Sequence, residues 1–268
     1  MKQNRTQARL RQGGVVFGCV MQQCGSAEIP RLFAAAGFDF LFIDAEHSSF
    51  DLETVRDLVR ACLDAEITPL VRVGELAYSL VARALDAGAQ GIIFPRVESP
   101  QLLAEAIGWT RFPPLGVRGY GLAAPQVDYE PLSFAEIIEH ANAHTMAVVQ
   151  FETRTAMERR EELLATPGID VALVGPADLS ISLGVPGQFE HPRLVDTVLE
   201  LIETCKRCGV SPGIQVRTPE LAKKWTQRGM RFVGCGSEHA LLFSKAAETV
   251  AELTAIAQTL APPSENGA

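Results

Sequence analysis

Charged and polar side chains of the kinds used in catalysis come directly after apolar, β-rich runs at four places in this chain. They are Asp44, Glu46 and His47 in FLFIDAEHSS, Arg72 in PLVRVGE, Gln150 and Glu152 in VVQFETR, and Asp178 in VALVGPADLS. Such groups are costly to bury unless they have partners. Their repeated occurrence at predicted strand ends therefore indicates a functional site rather than isolated surface charges.

The residue types suit chemistry that makes a carbon atom next to a carbonyl group acidic. Glu152 and Asp178 are hard oxygen donors, and two carboxylates with waters and a chelating substrate suit Mg²⁺ or Mn²⁺. Arg72 can donate to an oxygen that develops negative charge, and His47 can exchange a proton near neutral pH. Asp86, in ALDAGAQG, can orient that imidazole if the fold brings the two together. Metal, cation and base together predict an enolate formed by polarisation of a carbonyl.

These side chains must be held by a fold in which strands and helices alternate. The predicted strands are Val15–Cys19, Phe40–Ile43, Thr68–Val73, Ile92–Phe94, Ala147–Phe151, Val171–Val174, Pro212–Val216 and Phe232–Gly234. A helical pattern follows each of them, which predicts parallel strands with right-handed crossovers. Eight such units in about 250 residues predict an α/β fold of the (β/α)8 TIM-barrel type, in which the carboxyl ends of the strands carry the active site. The alternative is an open doubly wound sheet, but no GxGxxG follows the first predicted strand.

The chain shows no domain boundary, so residues 1–260 are predicted to form one domain, with a flexible tail at 261–268. The basic segment before the first strand is predicted to be a short helix that closes one end of the domain. The segment Phe112–Pro131 is rich in Pro and Gly. A loop of this length in a compact domain is usually functional or part of an oligomer contact.

The composition of the chain argues against several classes of protein. Hydrophobic residues make up 47% and charged residues 21%, which excludes global disorder. The net charge of −8 argues against a nucleic-acid partner, and no apolar run is long enough to span a membrane. The six cysteines are scattered along the chain, which favours reduced thiols and a cytoplasmic location.

Several motifs in order give the chain a clear resemblance to one family. They are FDFLFIDAEHSSFDLETV, LDAGAQGIIFPRVES, PPLGVRGYG, VVQFETRTAM and GIDVALVGPADLSISLG. Together they resemble the HpcH/HpaI aldolases over nearly the whole chain, from about Asn4 to Ala257. The resemblance implies a class II, metal-dependent aldolase that reversibly joins pyruvate or hydroxypyruvate to an aldehyde. It also implies a (β/α)8 barrel, a Mg²⁺, Mn²⁺ or Co²⁺ ion, and a homo-oligomer, hexamer or trimer, with the C-terminal helix exchanged between subunits.

The resemblance also assigns roles to residues. It implies metal binding by Glu152 and Asp178, pyruvate binding by Arg72, and catalysis by His47 assisted by Asp86 and Asp44. It further implies substrate contacts from Gln150 and from the backbone of Gly175-Pro176-Ala177-Asp178, whose amides would receive the 2-oxoacid carboxylate.

Departures from the family pattern leave the aldehyde partner open. Arg217 puts an unexpected charge after the seventh strand, and Arg118 and Tyr120 lie in the long loop, within possible reach of a neighbouring site. Two other functions are considered: an acyl-CoA lyase of the malyl-CoA or citrate lyase β type, and a catalytically silent oligomeric barrel. The first would need a basic groove for an adenine nucleotide. The second would be expected to have lost a metal carboxylate or Arg72, and neither is lost.

Overall fold

The computed structural model describes residues 1–121 and 127–260 and contains a closed barrel of eight parallel strands. The strands are β1 (Val16–Met21), β2 (Phe40–Asp44), β3 (Thr68–Arg72), β4 (Gly91–Phe94), β5 (Met146–Phe151), β6 (Val171–Val174), β7 (Ser211–Val216) and β8 (Phe232–Ser237). Each strand pairs with the next, and β1 pairs with β8 to close the barrel. The predicted (β/α)8 architecture is therefore confirmed, and the open doubly wound sheet is excluded.

Helices surround the barrel and connect its strands. They are α1 (Arg5–Arg11), α2 (Glu28–Ala35), α3 (Leu52–Asp64), α4 (Tyr78–Asp86), α5 (Pro100–Gly108), α6 (Phe134–His144), α7 (Arg154–Glu158), α8 (Arg160–Leu164), α9 (Pro176–Ser182), α10 (Pro192–Cys208), α11 (Pro219–Gln227) and α12 (Glu238–Leu260). Several begin at a Ser, Thr or Asp whose side chain accepts from the first turn, as Asp51 does from the Thr54 amide at 2.8 Å.

The barrel interior is a packed apolar core below a polar rim. Phe40 and Phe232 stack there with their ring centroids 4.0 Å apart. Gly18 on β1 makes room for them, since a Cβ at that position would lie 2.2 Å from the Phe40 ring. A second and larger apolar layer lies between the strands and the surrounding helices.

The N-terminal helix α1 closes the end of the barrel where the strands begin, as the sequence predicted. Its N-cap Asn4 is buried and donates to the Gln90 carbonyl at 2.9 Å and to the His144 carbonyl at 3.1 Å. Leu10 on the same helix packs into the inner core. Because this end is filled, the open end is the one where the strands finish.

The sequence patterns did not predict two of the helices, and they predicted two others as a single helix. Helix α6 is capped by Ser133, whose capping box with Glu136 follows the Pro-rich segment and was not recognised in the sequence. The short α9 follows β6 immediately, so its pattern is too brief to show a helical period. The predicted helix Thr155–Ala165 divides at Arg159 into α7 and α8.

The last helix, α12, leaves the barrel instead of packing along it. Every residue from Leu241 to Thr259 is exposed, including large apolar side chains such as Phe243 at 75% and Leu253 at 59%. Over 1–121 and 127–260, no helix is long and apolar enough to cross a membrane. The predicted tail at 261–268, and part of the predicted loop Phe112–Pro131, lie outside the described residues.

All six cysteines lie in the described ranges and are free, in agreement with the prediction of reduced thiols. Burial raises the pKa of the Cys19 thiol to about 12. A raised pKa is typical of thiols that pack in a core, whereas reactive thiols have a lowered pKa.

Candidate active site

The barrel's inner face changes from apolar to polar along each strand, because alternate residues of a strand point to the same side. Phe42 is followed two residues later by Asp44, Leu70 by Arg72, and Val148 by Gln150. Pairing of β2 with β3 sets Asp44 directly beside Arg72. The polar members therefore share one layer at the carboxyl ends of the strands, which is where the sequence predicted a site.

Arg72 and Asp44 form a buried two-point ion pair at the centre of this layer. The guanidinium donates from Nε to Asp44 Oδ1 at 2.9 Å and from Nη2 to Oδ2 at 2.6 Å. Gln22 donates to the same Oδ2 at 2.8 Å. Burial would raise the pKa of Asp44, but bonding to Arg72, the charge of Arg72 and the bond from Gln22 hold it below its ordinary value of 3.8. Asp44 therefore stays ionised and fixes the plane of the Arg72 guanidinium.

Glu46 links this ion pair to the rim where His47 lies. Its Oε2 atom is 3.2 Å from Arg72 Nη1, and its Oε1 atom is 3.7 Å from His47 Nε2. The exposed Arg96 places Nε 3.6 Å from the same Oε1. The imidazole of His47 is 56% exposed, so it is open to solvent at the rim of the barrel.

Gln150 connects Arg72 to the predicted metal ligand Glu152. Its Oε1 atom accepts from Arg72 Nη1 at 3.4 Å, and its Nε2 atom donates to Glu152 Oε2 at 2.5 Å. The backbone amide of Arg96, which has a positive φ of 53°, donates to the other Glu152 oxygen at 2.8 Å. A Cβ at Gly175 would lie 3.1 Å from Glu152 Oε2, so glycine lets the turn after β6 approach the carboxylate.

The carboxylates on this side of the site fit a divalent cation. Burial raises the pKa of Glu152, and the negative charges of Asp178 and Glu46 raise it further, although the Arg96 amide and Arg72 act against this. A bound cation would relieve that repulsion. The described residues contain no group of three or more His, Cys, Asp or Glu arranged to hold a metal, so Glu152 and Asp178 would supply two ligands. The remaining positions would be left to water and substrate oxygens.

The fold does not bring Asp86 to this group within one chain. Asp86 is the last residue of α4, which runs back to the end of the barrel where the strands begin. There its Oδ1 atom accepts from Arg118 Nη2 at 2.9 Å. Helix and strand directions place Asp86 and His47 of one chain at opposite ends of the barrel, so a single chain does not form the contact by which Asp86 is expected to assist His47. Glu46 occupies the position beside His47 instead. A role for Asp86 at His47 stays a prediction.

A cavity of about 550 Å³ opens from this polar layer. The predicted site residues on its wall are Arg72, Gln150, Gly175, Ala177 and Asp178. The cavity continues past them to Arg217 after β7 and to His239 at the start of α12. Its volume lies within the range typical of small-molecule sites.

Two further positioning residues were not found from the sequence. Gln22, on the loop after β1, continues the alternating inward pattern of that strand, and this was the available signal. Glu238 gave no signal, because an acid at the start of a helix reads as an ordinary first-turn residue. In the structure it is buried, and its Oε1 atom accepts from the amides of Gln22, Gln23 and Cys24 at 3.0, 2.5 and 2.9 Å.

Comparison with known proteins identifies the family to which the chain belongs. The family model described as HpcH/HpaI aldolase/citrate lyase matches residues 24–244. The chain belongs to the HpcH/HpaI aldolase/citrate lyase family. It is 33% identical over 244 residues to a hydroxypyruvate/pyruvate aldolase of Roseobacter denitrificans, covering 90% of this chain and 93% of that protein.

Two more HpcH/HpaI relatives agree with this assignment. A 4-hydroxy-2-oxo-heptane-1,7-dioate aldolase of Shigella sonnei is 34% identical over 220 residues, covering 82% of this chain and 83% of that protein. The crystal structure of an HpcH/HpaI aldolase from Desulfitobacterium hafniense superimposes with a TM-score of 0.88 at 29% identity, covering 97% of this chain and 98% of that one. The chain is accordingly a carbon–carbon lyase of the aldolase type, and the silent-barrel alternative is not supported.

The Glu238 anchor leads to a pH-dependent stability prediction. Burial would raise the pKa of Glu238, but the amides it accepts from hold that pKa below its ordinary value of 4.5. The ionised form therefore stabilises the folded state above that value, and this contribution is lost as the pH falls through the lower folded-state pKa. Glu238→Gln should lower the free energy of unfolding by about 1–2 kcal/mol at neutral pH, the difference between charged and neutral hydrogen bonds.

Urea denaturation, followed from about pH 7 to about pH 3, measures this difference, which should shrink in acid. Glu248→Gln is the matched control, since Glu248 lies on the same helix, is exposed and pairs only with Lys245 among the contacts described. A loss for Glu238→Gln that stays constant across this pH range would contradict the anchoring role of the carboxylate.

Proposed function

We propose that this chain catalyses reversible, divalent-metal-dependent aldol cleavage and addition between a 2-oxoacid, pyruvate or hydroxypyruvate, and an aldehyde. The observation that carries the proposal is the gathering of opposite charges in and beside one cavity. Arg72 and Asp178 line the cavity, Glu46 lies 3.2 Å from Arg72, and the negative charges of Asp178 and Glu46 act on the buried Glu152. The two relatives at 33% and 34% identity are both named as aldolases, which favours this reaction over acyl-CoA cleavage.

Glu152 and Asp178 would hold the cation, for which the family resemblance implies Mg²⁺, Mn²⁺ or Co²⁺. When bound there, such an ion supplies Lewis-acid polarisation of the substrate ketone. The first-turn amides of Ala177 and Asp178, on the cavity wall, suit the substrate carboxylate because they carry partial positive charge, whereas the Gly175 amide already donates to the Phe151 carbonyl at 3.2 Å.

Arg72 would stabilise the negative charge that develops on the substrate oxygen as the enolate forms. Asp44 holds its guanidinium from one side, and the remaining donor edge at Nη1 faces Gln150 and Glu46 beside the cavity that Arg72 lines. A donor that is fixed before the reaction needs no reorganisation when charge develops. In the same step His47, at the rim, would exchange the proton between C3 of the 2-oxoacid and solvent.

In the cleavage direction the same residues act in reverse order. The 4-hydroxyl group loses its proton, the bond between C3 and C4 breaks to release the aldehyde, and the enolate is protonated at C3. Gln150 would hold the side chains of Glu152 and Arg72 in fixed positions relative to each other, since it hydrogen-bonds both. We include His47, Arg72, Asp44 and Gln150 in the proposed machinery for these reasons.

Removal of the cation tests the metal assignment. Excess EDTA should abolish aldol cleavage, and added Mg²⁺, Mn²⁺ or Co²⁺ should restore it, because carbonyl polarisation would depend on the ion. Cleavage is followed by coupling pyruvate release to a reporter enzyme. Glu152→Gln should need a higher cation concentration for the same recovery. Full activity in excess chelator would show that Glu152 and Asp178 serve another purpose.

Replacement of Arg72 tests the cation at the centre of the site. Arg72→Lys should cut turnover by about 100-fold or more, the usual scale for the loss of an oxyanion donor, because one ammonium cannot match both Asp44 oxygens and the substrate. Exchange of the pyruvate methyl protons with deuterium, followed by NMR, should slow in parallel. The exposed Arg83→Lys on α4 is the control. Unchanged turnover in a folded Arg72→Lys variant removes Arg72 from the mechanism.

We further propose that the chain forms a homo-oligomer, a trimer or hexamer, in which α12 is exchanged between subunits. A groove of about 550 Å³ lies outside β1 and β8 and is walled by Phe17, Phe38, Pro219, Ala222 and Cys235. In a (β/α)8 barrel the helix after the eighth strand packs in this position. Here α12 extends away, so the groove is left exposed, and so is a stripe of apolar side chains on α12 that includes Phe243 and Leu253. We expect the groove of one subunit to bind the apolar stripe of another.

A charge placed on that stripe tests the exchange. Leu253→Glu should dissociate the oligomer, because the carboxylate would have to be buried against an apolar surface. Ala251→Glu is the matched control, since it lies two residues away and thus on the opposite side of the helix, where residue 251 is also exposed. Light scattering coupled to size exclusion reports the mass. Equal masses for the wild type and Leu253→Glu would contradict an interface through α12.

A further inference from the structure

We propose that Arg217 determines acceptor specificity by binding an anionic group on the aldehyde, so that the preferred acceptor carries a carboxylate or phosphate. This inference deepens the proposed function and rests on it. Arg217 follows β7 and was the charge that the family pattern did not account for. In the structure it lines the same cavity as Arg72, Gln150 and Asp178.

The charges on the cavity wall leave one cation without a matching acid. The charged or titratable residues lining it are Arg72, Asp178, Arg217 and His239. Arg72 is compensated by Asp44, and Asp178 is assigned to the metal. Arg217 forms no ion pair with any residue in 1–121 or 127–260, and its guanidinium lies 5.6 Å from the ring centroid of Phe189.

Two acids that lie close in sequence to Phe189 or to Arg217 are already engaged. Glu190, next to Phe189 in sequence, pairs with Lys224. Glu220, three residues beyond Arg217, is held at the start of α11 by bonds with Thr218 and its own backbone, which lower its pKa. At the far side, His239 has Nδ1 3.5 Å from Glu238 Oε2. The cavity therefore presents an exposed positive group, Arg217, that forms no ion pair within the described residues.

Apolar side chains line much of the rest of the cavity. Ile214, Val216, Leu221 and Trp225 are among them. Such a lining suits a short methylene chain between the reacting aldehyde carbon and a terminal anion. Arg217 would then contact the anion through its planar fork of donors, the geometry that matches carboxylate and phosphate groups. It is a substrate-binding residue in this scheme and takes no part in the proton transfer.

Matched pairs of aldehydes test this assignment with pyruvate as the nucleophile. Succinic semialdehyde is compared with its neutral terminal amide, and glyceraldehyde 3-phosphate with glyceraldehyde. The wild type should prefer at least one anionic member by about 10- to 100-fold in kcat/KM, the scale of a charge-assisted hydrogen bond. The pair that shows the preference identifies the anion as a carboxylate or a phosphate.

Arg217→Gln should abolish that preference and leave kcat/KM for the neutral members within about threefold, whereas Arg217→Lys should retain part of it because the charge remains. Arg56→Gln, an exposed charge loss on α3, is the control. The assignment is overturned if the wild type does not distinguish either pair, or if Arg217→Gln keeps the preference.

A separate readout distinguishes this failure from failure of the proposed function. Cation-dependent exchange of the pyruvate methyl protons needs no aldehyde, so it should be unchanged in Arg217→Gln. If the wild type exchanges these protons but shows no acceptor preference, the Arg217 assignment alone is contradicted. If the wild type does not exchange them, the aldolase mechanism on which the assignment rests is contradicted.

Discussion

The buried ion pair between Asp44 and Arg72 is the interaction on which the rest of the site depends. Both groups lie inside the barrel, where a lone charge would cost several kcal/mol. Two parallel hydrogen bonds make the pair geometrically fixed as well as neutral overall. Arg72 also donates to Gln150, and Gln150 donates to Glu152, so the position of Arg72 constrains that of Glu152. A disturbance at Asp44 would therefore be felt at the proposed metal ligand.

The same network extends in the other direction to the first and last strands. Glu238 accepts from three consecutive amides and so ties the loop after β1 to the start of α12. Gln22, on that loop, then donates to Asp44. A closed barrel makes such a chain of contacts possible, since β1 and β8 are neighbours in space although they are far apart in sequence. The site is thus built from both ends of the polypeptide.

Charge is divided unevenly across the cavity, and this division explains how one pocket can serve two substrates. Repelling carboxylates at Glu152 and Asp178 favour a cation and, with it, a chelating 2-oxoacid. The same cavity is also lined by Arg217 and by apolar side chains, which favour a different kind of molecule. In a site of low dielectric, such fixed charges act more strongly than they would in water.

Much of the fold and the core of the site could be predicted from the sequence, because both depend on local pattern. Alternating β-rich and helical segments imply a parallel barrel, and polar residues two positions after inward apolar ones, such as Asp44 after Phe42, imply a polar rim. Tertiary structure alone decided which of these residues meet. It separated Asp86 from His47 within one chain because α4 runs antiparallel to the strands, and it brought Glu46 to Arg72 and Glu238 to Gln22. Contacts of this kind depend on strand register, helix direction and barrel closure, which join residues that no sequence period connects.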